Sequence, residues 1–179
     1  MEGYETVPLS EAKEQVRRVC ERLALLHYAF AKAIVDKLGE EQGTQLVMNA
    51  IKLYGTVVGE EVRDAVLSRG LEDTPDNYGG DLPQYGMHDR VEAVGEGRKR
   101  VYGCVMGRIW HMLGADRLGR LYCYVDPCKY MAYNPTNKLV HHASLPDGDE
   151  YCEMSVEPTS AEDRAEFASQ DPDLSKLDR

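Results

Sequence analysis

The sequence predicts an α+β fold: N-terminal helices packed on an antiparallel sheet, with a ligand cavity between them. Three observations carry this. Apolar residues recur at helical spacing over residues 10–70, strand-like alternation appears only after Gln84, and a turn-rich connector separates the two regions. Helices first and paired strands later, without regular alternation, define the class. Cavities form where elements of different type meet.

The first element is "SEAKEQVRRVCERLALLHYAFAKAIVDKLG", with Val16, Val19, Leu23, Leu26, Phe30, Ile34 and Leu38 at steps of three or four. Ser10 is the expected N-cap and Gly39 the expected stop. A second helix follows, with the stripe Val47, Ile51, Tyr54, Val58, Val62 and Ala65, and Gly70 ends it. Gly55 and Gly59 stand inside that helix, where each costs about 1 kcal/mol relative to alanine. Four residues apart, they make one bare strip, for close helix packing or for a ligand against the backbone. Residues 71–83 are the connector.

"QYGMHDRVEAV" and "RKRVYGC" flank the turn "GEG" and predict a hairpin. "VMGRIWHML" predicts a short helix burying Val105, Ile109, Trp110 and Leu113. "NKLVHHAS" and "EYCEMSVE" predict two more strands around "LPDGD". The expected single domain spans residues 1–156. Residues 157–179 carry seven acidic and three basic residues without apolar periodicity, and predict a flexible or loosely docked tail.

Composition narrows the partners. With 42% hydrophobic and 29% charged residues, the chain reads as globular. A net charge of -10 argues against nucleic acid, and the short basic run "GRKR" fits a solvated hairpin better. No apolar run approaches the roughly 18 residues that span a bilayer. The polar, acidic start is not expected to be an export signal, so the five cysteines are expected to be reduced thiols in a cytoplasmic protein.

Several stretches in fixed order carry a resemblance: "YGTVVGEEVRDAVLSRG", "RVYGCVMGRIWHMLG", "LYCYVD", "YNP" and "LPDGDEYCEMSV". Together, over roughly residues 20–156, they resemble the L-2-amino-thiazoline-4-carboxylic acid hydrolase family. The ending Gly148, Asp149, Cys152 also resembles the wider 4-vinyl-reductase-like and transport-particle-like fold. The resemblance implies helices on an antiparallel sheet, often a homodimer, and hydrolysis of a small cyclic substrate. The matching positions are Gly55, Gly59, Arg63, Cys104, Cys123, Asp126, Asn134, Pro135, Gly148, Asp149 and Cys152. Pro127, Cys128 and the pair His141–His142 look private to this chain.

The stretch "RLYCYVDPCKYMAYNP" is the centre of the reading. As a strand, Cys123 and Asp126 would point oppositely; as a helix they share a face. Asp126 before Pro127 is a good N-cap and first-turn pair, which favours helix. A thiol and a carboxyl so placed suit the opening of a cyclic amidine: the thiolate attacks, or a water is activated, and the carboxyl shuttles the proton. Cys123 and Asp126 are therefore the expected catalytic pair. A thiolate beside a carboxylate needs a cation, for which Arg63, Arg90, Arg108, His88 and His142 are candidates. Arg63, Cys104, His88, Arg108, Tyr130, Asn134 and His142 are the expected substrate-binding residues.

Plainer readings stand beside these. Free cysteines often only pack. His27 suits a satisfied core position, His111 a helix surface, and one of His141 and His142 should face inward. No cofactor is expected, although Cys104, Cys123, Cys152 and Asp126 could together hold a soft metal. No phosphate loop or nucleophile elbow is present. Two functions remain open: a hydrolase of a C–N or C–S bond in a small heterocycle, or a non-catalytic small-molecule sensor.

Overall fold

The computed structural model describes residues 6–79 and 81–169. Two long helices open the chain, α1 (Leu9–Leu38) and α2 (Glu40–Ser68), joined by Gly39 alone. Gly39 has φ 81°, the left-handed region that glycine enters without a Cβ penalty. Helix α1 begins at Leu9 after Pro8, without a side-chain cap, so Ser10 is a helical residue and not the N-cap. Proline suits that boundary because it has no N–H to leave unpaired.

The stripe read for α1 is displaced. The buried line is Cys20, Ala24, His27 and Ala31, whereas Val19, Leu26, Phe30 and Leu38 are exposed. Small residues face inward because the neighbouring helices come close. Helix α2 keeps Val47, Ile51 and Val62 inside, adds Met48 and Val66, and leaves Tyr54 and Ala65 exposed.

The connector, with a 3₁₀ turn at Pro75–Asn77, leads to the hairpin of β1 (Arg90–Gly95) and β2 (Arg98–Tyr102). Three short helices follow: α3 (Val105–Met112), α4 (Asp116–Tyr122) and α5 (Val125–Tyr133). Strands β3 (Asn137–Ala143) and β4 (Cys152–Pro158) complete a four-stranded antiparallel sheet in the order β1-β2-β4-β3. The fold is α+β, as the order of patterns in the sequence predicts. The α1–α2 pair packs mainly on α3–α5, and α5 lies on β3.

Trp110 anchors the middle layer. It is almost fully buried, and its indole Nε1 donates to the Ala24 carbonyl at 3.0 Å. Gly119 faces the ring so closely that a Cβ there would overlap the indole. Ile109 and Leu113, expected beside Trp110 in the core, are half-buried and exposed; Met106 and Gly107 take the inward places. His27 is a satisfied core histidine, its Nε2 hydrogen-bonded to the Leu118 carbonyl at 2.7 Å.

Residues 157–169 hold the end of β4 and a final helix, α6 (Ala161–Ala168), opened by a capping box between Ser160 and Asp163. It rests on the body through Lys138–Asp163 and the Lys52 ammonium over the Phe167 ring. The remainder of the expected tail, 170–179, lies outside the described residues.

Candidate active site

The glycine strip of α2 resolves toward close packing. A Cβ at Gly55 would stand 2.7 Å from Cys128 Cβ, and one at Gly59 would overlap the Lys129 carbonyl oxygen. Helix α5 thus lies backbone against backbone on α2, with the face bearing Asp126 and His141's strand on its other side. The stretch 120–135 is helical but broken: α4 stops at Tyr122, α5 starts at Val125, and the Asp126 N–H donates to the Cys123 carbonyl at 3.1 Å across the break. That single turn keeps the two residues adjacent.

Asp126 does not cap the helix. It lies inside the first turn of α5, and its carboxylate is spent sideways, Oδ1 on Lys129 Nζ at 2.9 Å and Oδ2 on His141 Nε2 at 3.2 Å. Lys129 also reaches Asp81 Oδ2 at 3.1 Å, which the Tyr78 hydroxyl contacts at 3.2 Å. Burial alone would raise the Asp126 carboxyl, but Lys129 and His141 overcome it and hold the group well below the usual carboxylate range. Asp126 is therefore ionised at any physiological pH.

Cys123 ends α4, half-buried. Burial pushes its thiol up, the Arg120 guanidinium opposes this, and Asp126, Cys152 and Cys104 reinforce it. These groups consequently share one electrostatic neighbourhood. Arg120 is 9% exposed at its side chain, donates from Nε to Asp147 Oδ2 at 2.8 Å, and hydrogen-bonds the Cys123 sulfur.

The other two thiols accept backbone N–H groups. Cys104 caps α3, its Sγ receiving the Gly107 N–H at 3.5 Å, and Cys152 Sγ receives the Leu145 N–H at 3.4 Å. Burial raises both, Cys152 to about 11. The motif Gly148, Asp149, Cys152 is a local lock. Gly148 turns at φ 94°, Asp149 Oδ2 accepts the Ser144 N–H at 2.8 Å, and Cys152 holds Leu145. The same loop supplies Asp147 to Arg120.

Cys104, Cys123 and Asp126 are thus brought together, Tyr130 lies close enough to feel Asp126 and Lys129, and the remaining sequence candidates, His88 apart, have partners elsewhere. Arg63 pairs with Asp73 at 3.0 Å, and Asn134 Nδ2 donates to the Asp73 carbonyl at 2.8 Å, both on the connector. Arg108 forks onto Asp89 at 3.0 and 3.3 Å, and the Arg90 guanidinium lies over Tyr102 at 3.8 Å. Tyr130 stacks on Tyr78, centroids 4.3 Å apart, pinning the connector to α5. His142 contacts Ser155 Oγ at 2.7 Å and Glu157 Oε1 at 3.3 Å, on the strand face opposite His141. Nδ1 of His88 is buried and finds no hydrogen-bond partner among the described residues.

Two residues of the cluster escaped the sequence reading, Arg120 and Lys129, and of the His141–His142 pair it is His141, not the expected His142, that joins the cluster. Arg120 stands three before Cys123 and Lys129 three after Asp126, a spacing that pairs side chains on a helix. Strand alternation offered His141 and His142 equally. Among the described residues no group of three or more His, Cys, Asp or Glu side chains is placed to hold a metal ion, and no helix is long and apolar enough to cross a membrane.

An α+β domain with thiols, a fixed carboxylate, an imidazole and a buried guanidinium meeting beside its sheet has the parts of a nucleophilic or acid–base enzyme. The chain belongs to the L-2-amino-thiazoline-4-carboxylic acid hydrolase family, whose model matches residues 17–156. No curated protein and no solved structure matches it.

Proposed function

We propose that this protein is a hydrolase that opens a small cyclic amidine or thiazoline, with Cys123 as nucleophile and His141 as the proton carrier. The observation that carries the reading is the Asp126–His141 contact at 3.2 Å beside a thiol that Arg120 touches. An ionised Asp126 cannot readily give or take a proton, so its part is to hold the imidazole in place. The Cys123 proton passes to a base as sulfur attacks the carbon between the ring nitrogen and sulfur. His141 is the base we assign. The π electrons of the C=N bond move to the ring nitrogen, which takes that proton; the pair then returns to re-form C=N as the ring carbon–sulfur bond breaks, and the ring sulfur leaves as a thiol carrying the proton. Water then displaces Cys123 from that carbon and restores the thiol. Arg120 stabilises the thiolate while it exists, and water is the co-reactant. We further propose that the site works with reduced thiols, as a cytoplasmic protein would keep them.

A second reading is a small-molecule-binding domain without turnover. It is favoured by burial, which pushes all five thiols away from ionisation.

Turnover of a 2-aminothiazoline carboxylate by wild type, Cys123→Ser and His141→Gln decides between them. The enzyme reading requires a loss of at least about 100-fold in kcat in both variants, with the melting point within a few degrees of wild type. Undiminished turnover in Cys123→Ser removes the nucleophile assignment. Ligand binding without turnover in wild type favours the second reading.

A further inference from the structure

We infer that Asp147 is a positioning residue for the thiol site, and that the motif Gly148, Asp149, Cys152 serves to hold it against Arg120. The inference rests on the reading of Cys123 as nucleophile, with Arg120 meeting the thiolate as it forms. Asp147 acts on Cys123 through that guanidinium.

Arg120 is almost fully buried, and burial opposes its charge. At rest Cys123 is a thiol, because burial pushes it up, so it offers the guanidinium no opposite charge. Asp147 supplies a carboxylate in that state, Oδ2 accepting from Arg120 Nε at 2.8 Å. Nε is coplanar with the rest of the guanidinium, so fixing it fixes the direction of the other donors. Arg120 therefore already stands on the Cys123 sulfur when charge develops there. A donor placed in advance needs no reorganisation at the moment of reaction.

The motif braces the carboxylate. Asp147 ends the 3₁₀ turn Leu145–Asp147 between β3 and β4. The Asp147 and Asp149 N–H groups donate to the Ser144 carbonyl at 2.9 and 3.3 Å, and Asp149 Oδ2 accepts the Ser144 N–H at 2.8 Å. Gly148 closes the turn at φ 94°, where a side chain would be strained. Cys152, the first residue of β4, holds the Leu145 N–H on its sulfur at 3.4 Å. Leu145 packs on α3, where a Cβ added to Gly107 would stand 2.7 Å from Leu145 Cδ2. The turn is thus tied to β4 and α3 while Asp147 reaches across to α4. A plainer role, in which the motif only stabilises its own loop, would leave the reactivity of Cys123 untouched.

Iodoacetamide labelling of Cys123 in folded protein at pH 8, read by peptide mass, tests this together with kcat and KM for a 2-aminothiazoline carboxylate. Asp147→Ala should slow labelling by at least about threefold and lower kcat by at least about tenfold, with KM within about twofold. Cys128, buried between α2 and α5, should label as in wild type and so report that the body has not opened. Asparagine keeps an oxygen for Nε, so Asp147→Asn should stay within about twofold of wild type in both readouts. Asp149→Ala should move both in the direction of Asp147→Ala and add nothing when combined with it. Unchanged or faster Cys123 labelling in folded Asp147→Ala overturns the inference, as does wild-type kcat. Equal losses in Asp147→Asn and Asp147→Ala also overturn it, because charge and not placement would then be at work. If Asp147→Ala does not fold, wild-type labelling in Asp149→Ala is the overturning result. Where wild type shows no turnover, the hydrolase reading falls and the labelling arm alone decides this one.

Discussion

Gly59 of α2 lies against α5 so closely that a methyl group there would overlap the Lys129 carbonyl oxygen. The backbone that carries the Asp126 network is therefore set by a missing side chain on another helix. Gly59→Ala should destabilise the protein by about 1–3 kcal/mol, as overpacking does, although alanine is the better helix former by about 1 kcal/mol. Urea unfolding measures it; a stabilised variant would show that α5 can step aside.

Lys129 stands between Asp126 and Asp81, with all three side chains less than a quarter exposed. Lys129→Met leaves two carboxylates facing each other without a cation and should cost about 3–5 kcal/mol. Adding Asp81→Asn should recover part of that loss. A double-mutant cycle with no coupling would mean the bridge contributes nothing.

Acid should unfold the protein in two stages. Burial lowers His27 against the opposing Leu118 carbonyl, so the unfolded chain takes the proton first and stability falls as pH drops below about 6.5. His88 is lowered in the same direction by burial. Asp126 is also depressed, so its contribution is present above about pH 3.9 and is lost below it. His27→Gln should flatten the fall between pH 7.5 and 5.5, leaving the part due to His88. An unchanged slope in chemical denaturation would refute the His27 assignment.

All five cysteines are free. Denatured, unreduced protein should titrate all five, and finding fewer would reveal bridges. In the folded state, burial pushes Cys128 to about 12 and Cys152 to about 11, and it raises Cys123 too. Alkylation of native protein at pH 8 should accordingly be at least tenfold slower than of denatured protein, roughly one pKa unit's worth. Rapid labelling of Cys123 in the native state would show that Arg120 outweighs burial.

The element order was legible because periodicity is local. Spacing of three or four marked α1 and α2, the turn "GEG" marked the hairpin, and Gly39 marked the link. The inward face of α1 was not legible. Its large apolar residues make the stronger pattern, yet close neighbours admit only Ala24, His27 and Ala31 on the domain side. Periodicity reports that a face is apolar without saying what covers it.

The sequence by itself determined the α+β order and the family. It also placed Cys123 and Asp126 side by side, because three residues along a helical stretch bring side chains together whatever surrounds them. Only the tertiary structure decided what those side chains meet. Arg120 reaches Cys123 while tied to Asp147 from the β3–β4 loop, and Asp126 meets His141 from a strand fifteen residues on. Charge state follows from such distant partners, since an isolated buried carboxyl would rise and the one held by Lys129 and His141 falls. Local pattern could name the pair; folding assigned its chemistry.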